Sequence, residues 1–172
     1  MGAGKTTIGR EFARRKGLPF IDCDLELEAR LGVKVATIFE IEGEAGFRQR
    51  ESRLLEELTA SGRGVLATGG GVVLAEANRA LLKERGIVIY LNVPPRALWE
   101  RTRHDRARPL LQVRNPRARI EELFRQRDPL YREVADVIVD GGRANPHGMV
   151  RSVDQAIARY CAQHADPDCP PC

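Results

Sequence analysis

The chain opens on residues that can bind phosphate. Met1-Gly2-Ala3-Gly4-Lys5-Thr6-Thr7 carries the end of the pattern G-x-x-x-x-G-K-[ST]. In that pattern a glycine turn offers backbone N–H groups to phosphate oxygens, while the Lys and the hydroxyl reach phosphate and Mg²⁺. Gly4, Lys5 and Thr6 supply its last three positions, and the first glycine would fall two residues ahead of Met1. A short glycine-rich leader at a terminus is the other reading. The helical spacing of Ile8, Phe12 and Ala13 directly after it favours the phosphate turn, because a helix N-terminus presents free N–H groups and a positive dipole end to anions.

Two further groups have the right chemistry. Asp22 and Asp24 flank Cys23, and phosphoryl transfer needs one group to position metal and another to orient or deprotonate the nucleophile. The same pair also suits an N-cap and turn ahead of a helix. Gly69-Gly70-Gly71 follows a short apolar run. Three glycines in a row carry an entropic cost, so the backbone there either approaches something closely or serves as a flexible connector.

Arginine supplies the remaining candidates. Arg48 opens a helix after Gly46-Phe47, and Arg127 lies in Arg127-Asp128-Pro129-Leu130-Tyr131. A planar guanidinium grips a carboxylate with two parallel hydrogen bonds, so a pair of them suits an acidic small molecule. Any single Arg in so Arg-rich a chain also reads as a solvated surface charge. Phe39 and Phe47 read as core. The basic stretch around Arg101, Arg103, Arg106 and Arg108 reads as a loop, with Arg108 placed to close over a transferring phosphoryl group and His104 facing solvent.

Short apolar runs that alternate with amphipathic stretches must position these groups. Strands are expected at 18–22, 65–67, 87–91 and 137–139. Helices are expected at about 26–30, 35–42, 46–60, 76–84, 95–103, 116–134 and 146–164. That alternation argues for a parallel sheet with helices on both faces. Ligands of such sheets bind at the carboxyl ends of the strands, which selects Asp22, Asp24 and the triple glycine.

Bulk properties narrow the class. With 172 residues the chain reads as one domain, and no apolar run is long enough to span a bilayer. Met1 leads into polar Gly-rich sequence that does not read as a secretory leader, so a cytoplasmic location is expected. The net charge of +4 fits nucleic acid or a small anion, but only 5% of residues are aromatic, and stacking platforms are therefore scarce. A small anionic ligand is the better fit, with no nucleic-acid partner. Cys169-Pro170-Pro171-Cys172 has C-x-x-C spacing, with His164 nearby, yet it sits in an Asp/Pro-rich end without strand–helix context and reads as a disordered tail.

Together, Gly4-Lys5-Thr6, Asp22-Cys23-Asp24, Gly46-Phe47-Arg48, Gly69-Gly70-Gly71, Arg108-Pro109-Leu110-Leu111 and Arg127-Asp128-Pro129-Leu130-Tyr131 resemble the shikimate kinase family in order and spacing up to about Ile157. The resemblance implies an α/β, P-loop kinase-type three-layer fold with a five-stranded parallel sheet. It implies a single domain over 1–160, a mobile lid at about 104–115 and a tail over 161–172. It also implies a monomer that uses ATP and Mg²⁺ to phosphorylate the 3-hydroxyl of shikimate. Carried residue by residue, Gly2, Ala3, Gly4, Lys5, Thr6 and Thr7 would hold the nucleotide phosphates, and Thr6 and Asp22 the metal. Asp24 would hold the shikimate hydroxyls and act as base. Arg48 and Arg127 would grip the carboxylate beside the backbone of Gly69, Gly70 and Gly71. Arg108 would touch the phosphates from the lid, and Arg101, Asn145 and Pro146 would border adenine. Glu51 resembles a partner that orients an arginine.

The family pattern places a hydrophobic strand and one more glycine ahead of Met1, so the first of the five strands is absent from this chain, and the natural protein is expected to begin upstream. Removing a central strand leaves two sheet edges and a gap in the core. A gluconate-type small-molecule kinase, or a non-catalytic nucleotide-binding remnant, is the alternative reading.

Overall fold

Helix α1 (Lys5–Lys16) starts directly after Gly4, which sits at φ 90°, ψ 17°, in the left-handed region that side-chain-bearing residues avoid. The computed structural model describes residues 2–60, 62–104, 109–141 and 145–164. Ile8, Phe12 and Ala13 form the buried stripe of α1. The elements that follow are β1 (Phe20–Asp22), α2 (Cys23–Leu31), α3 (Val35–Ala60), β2 (Val65–Ala67), α4 (Glu76–Arg85), β3 (Ile89–Asn92), α5 (Pro95–Thr102), α6 (Pro116–Val134), β4 (Val137–Asp140) and α7 (Pro146–His164).

The four strands described form two parallel pairs. β1 lies beside β2, with Asp22 opposite Ala67, and β3 beside β4, with Asn92 opposite Asp140. Among the described residues the second edges of β2 and β3 have no strand partner. Between the pairs lies a cavity of about 470 Å³ lined by Ile21, Leu66, Ile87, Ile89 and Leu91, with Ala3 and Lys5 also on its wall. The two pairs nevertheless belong to one layer. Ile8 and Phe12 of α1 and Val150 and Val153 of α7 pack with Leu91, Val137 and Val139, and Val65 of β2 joins the same cluster. On the opposite face Leu55, Val72, Val73 and Val134 form a second cluster with Leu82, Val88 and Tyr131. Helices therefore cover both faces.

Several boundaries move for local reasons. Helix α2 begins at Cys23, earlier than the expected 26, because the Asp22 carboxylate caps it. The two helices expected at 35–42 and 46–60 run together as α3, interrupted at Gly43 with φ 70° and ψ −178°. Residues 161–164 are the last turn of α7, so the tail expected from 161 begins no earlier than 165. Residues 165–172 lie outside the described residues, as do 105–108 within the expected lid. Pro109–Leu111 form a short 3₁₀ turn. Among the described residues no helix is long and apolar enough to cross a membrane.

Candidate active site

The carboxyl ends of β1 and β2 meet the turn ahead of α1. Thr6 Oγ1 donates to Asp22 Oδ2 at 2.6 Å. The other oxygen, Oδ1, accepts the backbone N–H groups of Asp24 and Leu25 at 3.1 and 3.3 Å. Asp22 is thus the helix cap and the partner of Thr6 at once, one oxygen for each job. The first turn of α1 carries no acidic side chain, and its cap residue Gly4 makes no side-chain bond, so its N-terminal N–H groups remain open to an anion. Gly2 lies close against α5: a Cβ there would meet the Thr102 methyl at 2.6 Å.

Asp24 lies in the first turn of α2 rather than in a loop. Loss of water around its carboxyl and the charge of Asp22 push its pKa above the ordinary value, against the pull of Lys5 and Arg48. The residue is exposed overall, which limits that effect. A carboxylate with raised basicity on an exposed residue, beside two cations, suits proton acceptance from a hydroxyl.

The triple glycine is gripped from two helices. From α3, Arg48 donates through Nη1 to Glu51 Oε2 at 2.6 Å and through Nη2 to Glu44 Oε1 at 3.0 Å, and it lies 5.1 Å over the Phe47 ring. A Cβ on Gly71 would fall under 3.0 Å from the Arg48 guanidinium, and one on Gly69 under 3.0 Å from Glu51 Oε1. None of the three glycines has positive φ. Close approach, rather than backbone freedom, is therefore what requires glycine at 69 and 71. From α6, Arg127 Nη1 donates to the Gly70 carbonyl at 3.2 Å, and the Tyr131 hydroxyl donates to the same oxygen.

Burial sets the electrostatics here. Glu51 is 5% exposed, and burial pushes its pKa up although Arg48 pulls the other way. Its Oε1, and Nε of the equally buried Arg127, have no hydrogen-bond partner among the described residues. Such groups are costly unless something completes them. A ligand with an acidic group and hydroxyls offers both a donor and an acceptor.

The structure brings together Lys5, Thr6, Asp22, Asp24, Arg48, Arg127 and the triple glycine. Arg101 ties α5 to the end of β4, donating through Nη2 to the Gly141 carbonyl at 2.9 Å. Asn145 Oδ1 accepts the Gly148 N–H at 2.7 Å, and Pro146 is the first residue of α7, so this pair has a structural task of its own. Thr7 and His104 are exposed. Phe39 and Phe47 meet with ring centroids 4.7 Å apart and planes tilted by 35°, as part of the core that includes Cys23 and Leu27. Arg108 lies outside the described residues. Sequence reasoning did not pick out Tyr131 as a functional residue. Its spacing of four from Arg127 was the available signal, because residues i and i+4 share a helix face.

Comparison with known proteins shows what the whole chain is similar to. The family model described as shikimate kinase matches residues 1–164. A shikimate kinase of Aromatoleum aromaticum is 72% identical over 160 residues, covering 93% of this chain and 91% of that protein. One of Ralstonia nicotianae is 59% identical, over 89% of this chain and 80% of that one. Among solved structures, shikimate kinase from Acinetobacter baumannii in complex with shikimate superposes with a TM-score of 0.90 at 46% identity, over 92% of this chain and 89% of that one.

Proposed function

The chain belongs to the shikimate kinase family, and from that premise we propose how its own residues divide the work. It is an ATP-dependent kinase that converts ATP and shikimate to ADP and shikimate 3-phosphate. The observation that carries the assignment of residues is the convergence of Arg48 from α3 and Arg127 from α6 on one glycine backbone, beside Asp24. Two cations that reach the same glycine backbone match a carboxylate. The adjacent carboxylate matches a ring hydroxyl.

In this reading Arg48 and Arg127 hold the shikimate carboxylate, and Gly69, Gly70 and Gly71 form the floor under the ring. Asp24 holds the reacting hydroxyl and accepts its proton. The N–H groups around Gly2, Ala3, Gly4, Lys5, Thr6 and Thr7 hold the nucleotide phosphates, with Lys5 neutralising charge that develops during transfer. Arg101, Asn145 and Pro146 border the adenine, and Arg108 reaches the phosphates. Mg²⁺ fits the Thr6 hydroxyl and the Asp22 carboxylate, which are hard oxygen donors 2.6 Å apart. Among the described residues no cluster of three His, Cys, Asp or Glu side chains surrounds them. In this reading the ion would be held by these two oxygens together with nucleotide phosphates and water, and would supply charge neutralisation when bound. Every assigned residue lies on this chain, so the reading requires no second subunit, and we propose that it works as a monomer with a cytoplasmic location.

The test is ADP release from Mg-ATP with shikimate, and with gluconate in its place. Release that depends on shikimate and not on gluconate is the expected result. A folded protein that releases no ADP with shikimate would refute the assignment.

A further inference from the structure

The Gly70 carbonyl is where the triple glycine is fastened to α6. A carbonyl oxygen has two lone pairs, and here Arg127 Nη1 and the Tyr131 hydroxyl occupy both. Tyr131 is itself anchored. Its ring packs on that of Tyr90 at 5.0 Å, the Tyr90 hydroxyl donates to Asp128 Oδ1 at 2.8 Å, and Arg132 donates to Asp128 Oδ2 at 2.8 Å. Burial pushes the Tyr131 phenol above its ordinary pKa, so it stays a donor through the working range.

This bond has a consequence for Arg127. Its Nη1 is committed to Gly70, while its buried Nε lacks a partner among the described residues. The edge of the guanidinium that carries Nε is therefore the edge left for a ligand, and such an edge binds a carboxylate through two parallel bonds. We infer that Tyr131 is a positioning residue: by holding the Gly70 carbonyl, its hydroxyl makes Arg127 present the Nε edge to the substrate carboxylate. The inference rests on the proposed carboxylate clamp and deepens it. Without the hydroxyl, Gly70 keeps one donor and the glycine backbone can turn, which re-aims Arg127 although its charge and burial are unchanged.

Tyr131→Phe removes the hydroxyl and keeps the ring that packs in the core. The test is a cycle of two proteins and two ligands: wild type and Tyr131→Phe, each titrated calorimetrically with shikimate and with shikimate methyl ester. The ester should bind wild type about 10- to 100-fold more weakly, since it loses a charge-assisted pair. Tyr131→Phe should weaken shikimate about tenfold but the ester by no more than about twofold, with ATP affinity unchanged. A purely structural role would weaken both ligands equally, and that outcome, or no effect on either, overturns the inference. If wild type itself does not distinguish acid from ester, the carboxylate clamp falls and the inference with it. A second readout needs no variant. The Arg127 Nε–H resonance of the unaltered protein should shift on adding shikimate and stay in place with the ester; a resonance indifferent to shikimate also overturns the inference.

Discussion

Substituting Gly71 by alanine isolates one contact. Gly71 sits at φ −100°, ψ −5°, an ordinary right-handed conformation that alanine adopts without strain. The change therefore acts through volume. The new methyl would lie under 3.0 Å from Arg48 Cζ, Nη1 and Nη2, whereas ordinary contact is 3.4–4 Å. The guanidinium must retreat by about 1 Å to make room. It can do so at small cost to the fold, because the Arg48 side chain is 20% exposed and ends in a flexible stem. Stability should change by about 1 kcal/mol or less. Binding should suffer far more, since a misplacement of about 1 Å at a positioning group costs up to about 100-fold. The expected result is a shikimate KM raised about 10- to 100-fold, with the ATP KM unchanged. The assay is ADP release with each substrate varied in turn, alongside a thermal melt. Repeating the change in an Arg48→Ala background sharpens it, because the methyl should then do nothing further. A native shikimate KM in Gly71→Ala, or an equal loss for ATP, would refute the reasoning.

Two other predictions test neighbouring groups. Asp24→Asn should lower turnover by at least about 100-fold while shikimate still binds, as expected for loss of a general base; a variant with full turnover removes Asp24 from the chemistry. Its stability effect has a definite sign. Asp24 has a folded pKa raised above 3.8, so its contribution to stability falls as pH rises through that window, and the Asn variant should melt no lower than wild type at pH 7. Cys23, buried behind the aspartates, has its thiol pushed up to about 12 from 9.0, first by burial and then by the charges of Asp24 and Asp22. It should resist thiol reagents at pH 8 in the folded protein, as read by mass spectrometry of the Cys23 peptide. The unfolded chain ionises first, so stability should decline between about pH 9 and 12, and Cys23→Ala should flatten that slope in denaturant melts.

What the residues determined by themselves was local. The 3.6-residue periodicity of Ile8, Phe12 and Ala13 made α1 legible. The starts of α6 and α7 were legible too, because Pro116 and Pro146 each follow an Asn that caps the helix. The candidate residues were legible as chemical types at characteristic spacings. Their mutual arrangement was not. Whether Asp22 was a cap or a partner of Thr6 depended on its two oxygens facing different ways, a choice made by packing across 16 residues of chain. The reason for the triple glycine was equally hidden. Glycine normally signals unusual φ, but here the backbone is ordinary, and Arg48 and Glu51 need the space. The contacts of Gly70 with Arg127 and Tyr131 span 57 and 61 residues. Periodicity and turn chemistry act within a few residues, so only the folded chain decides which distant donor meets which carbonyl.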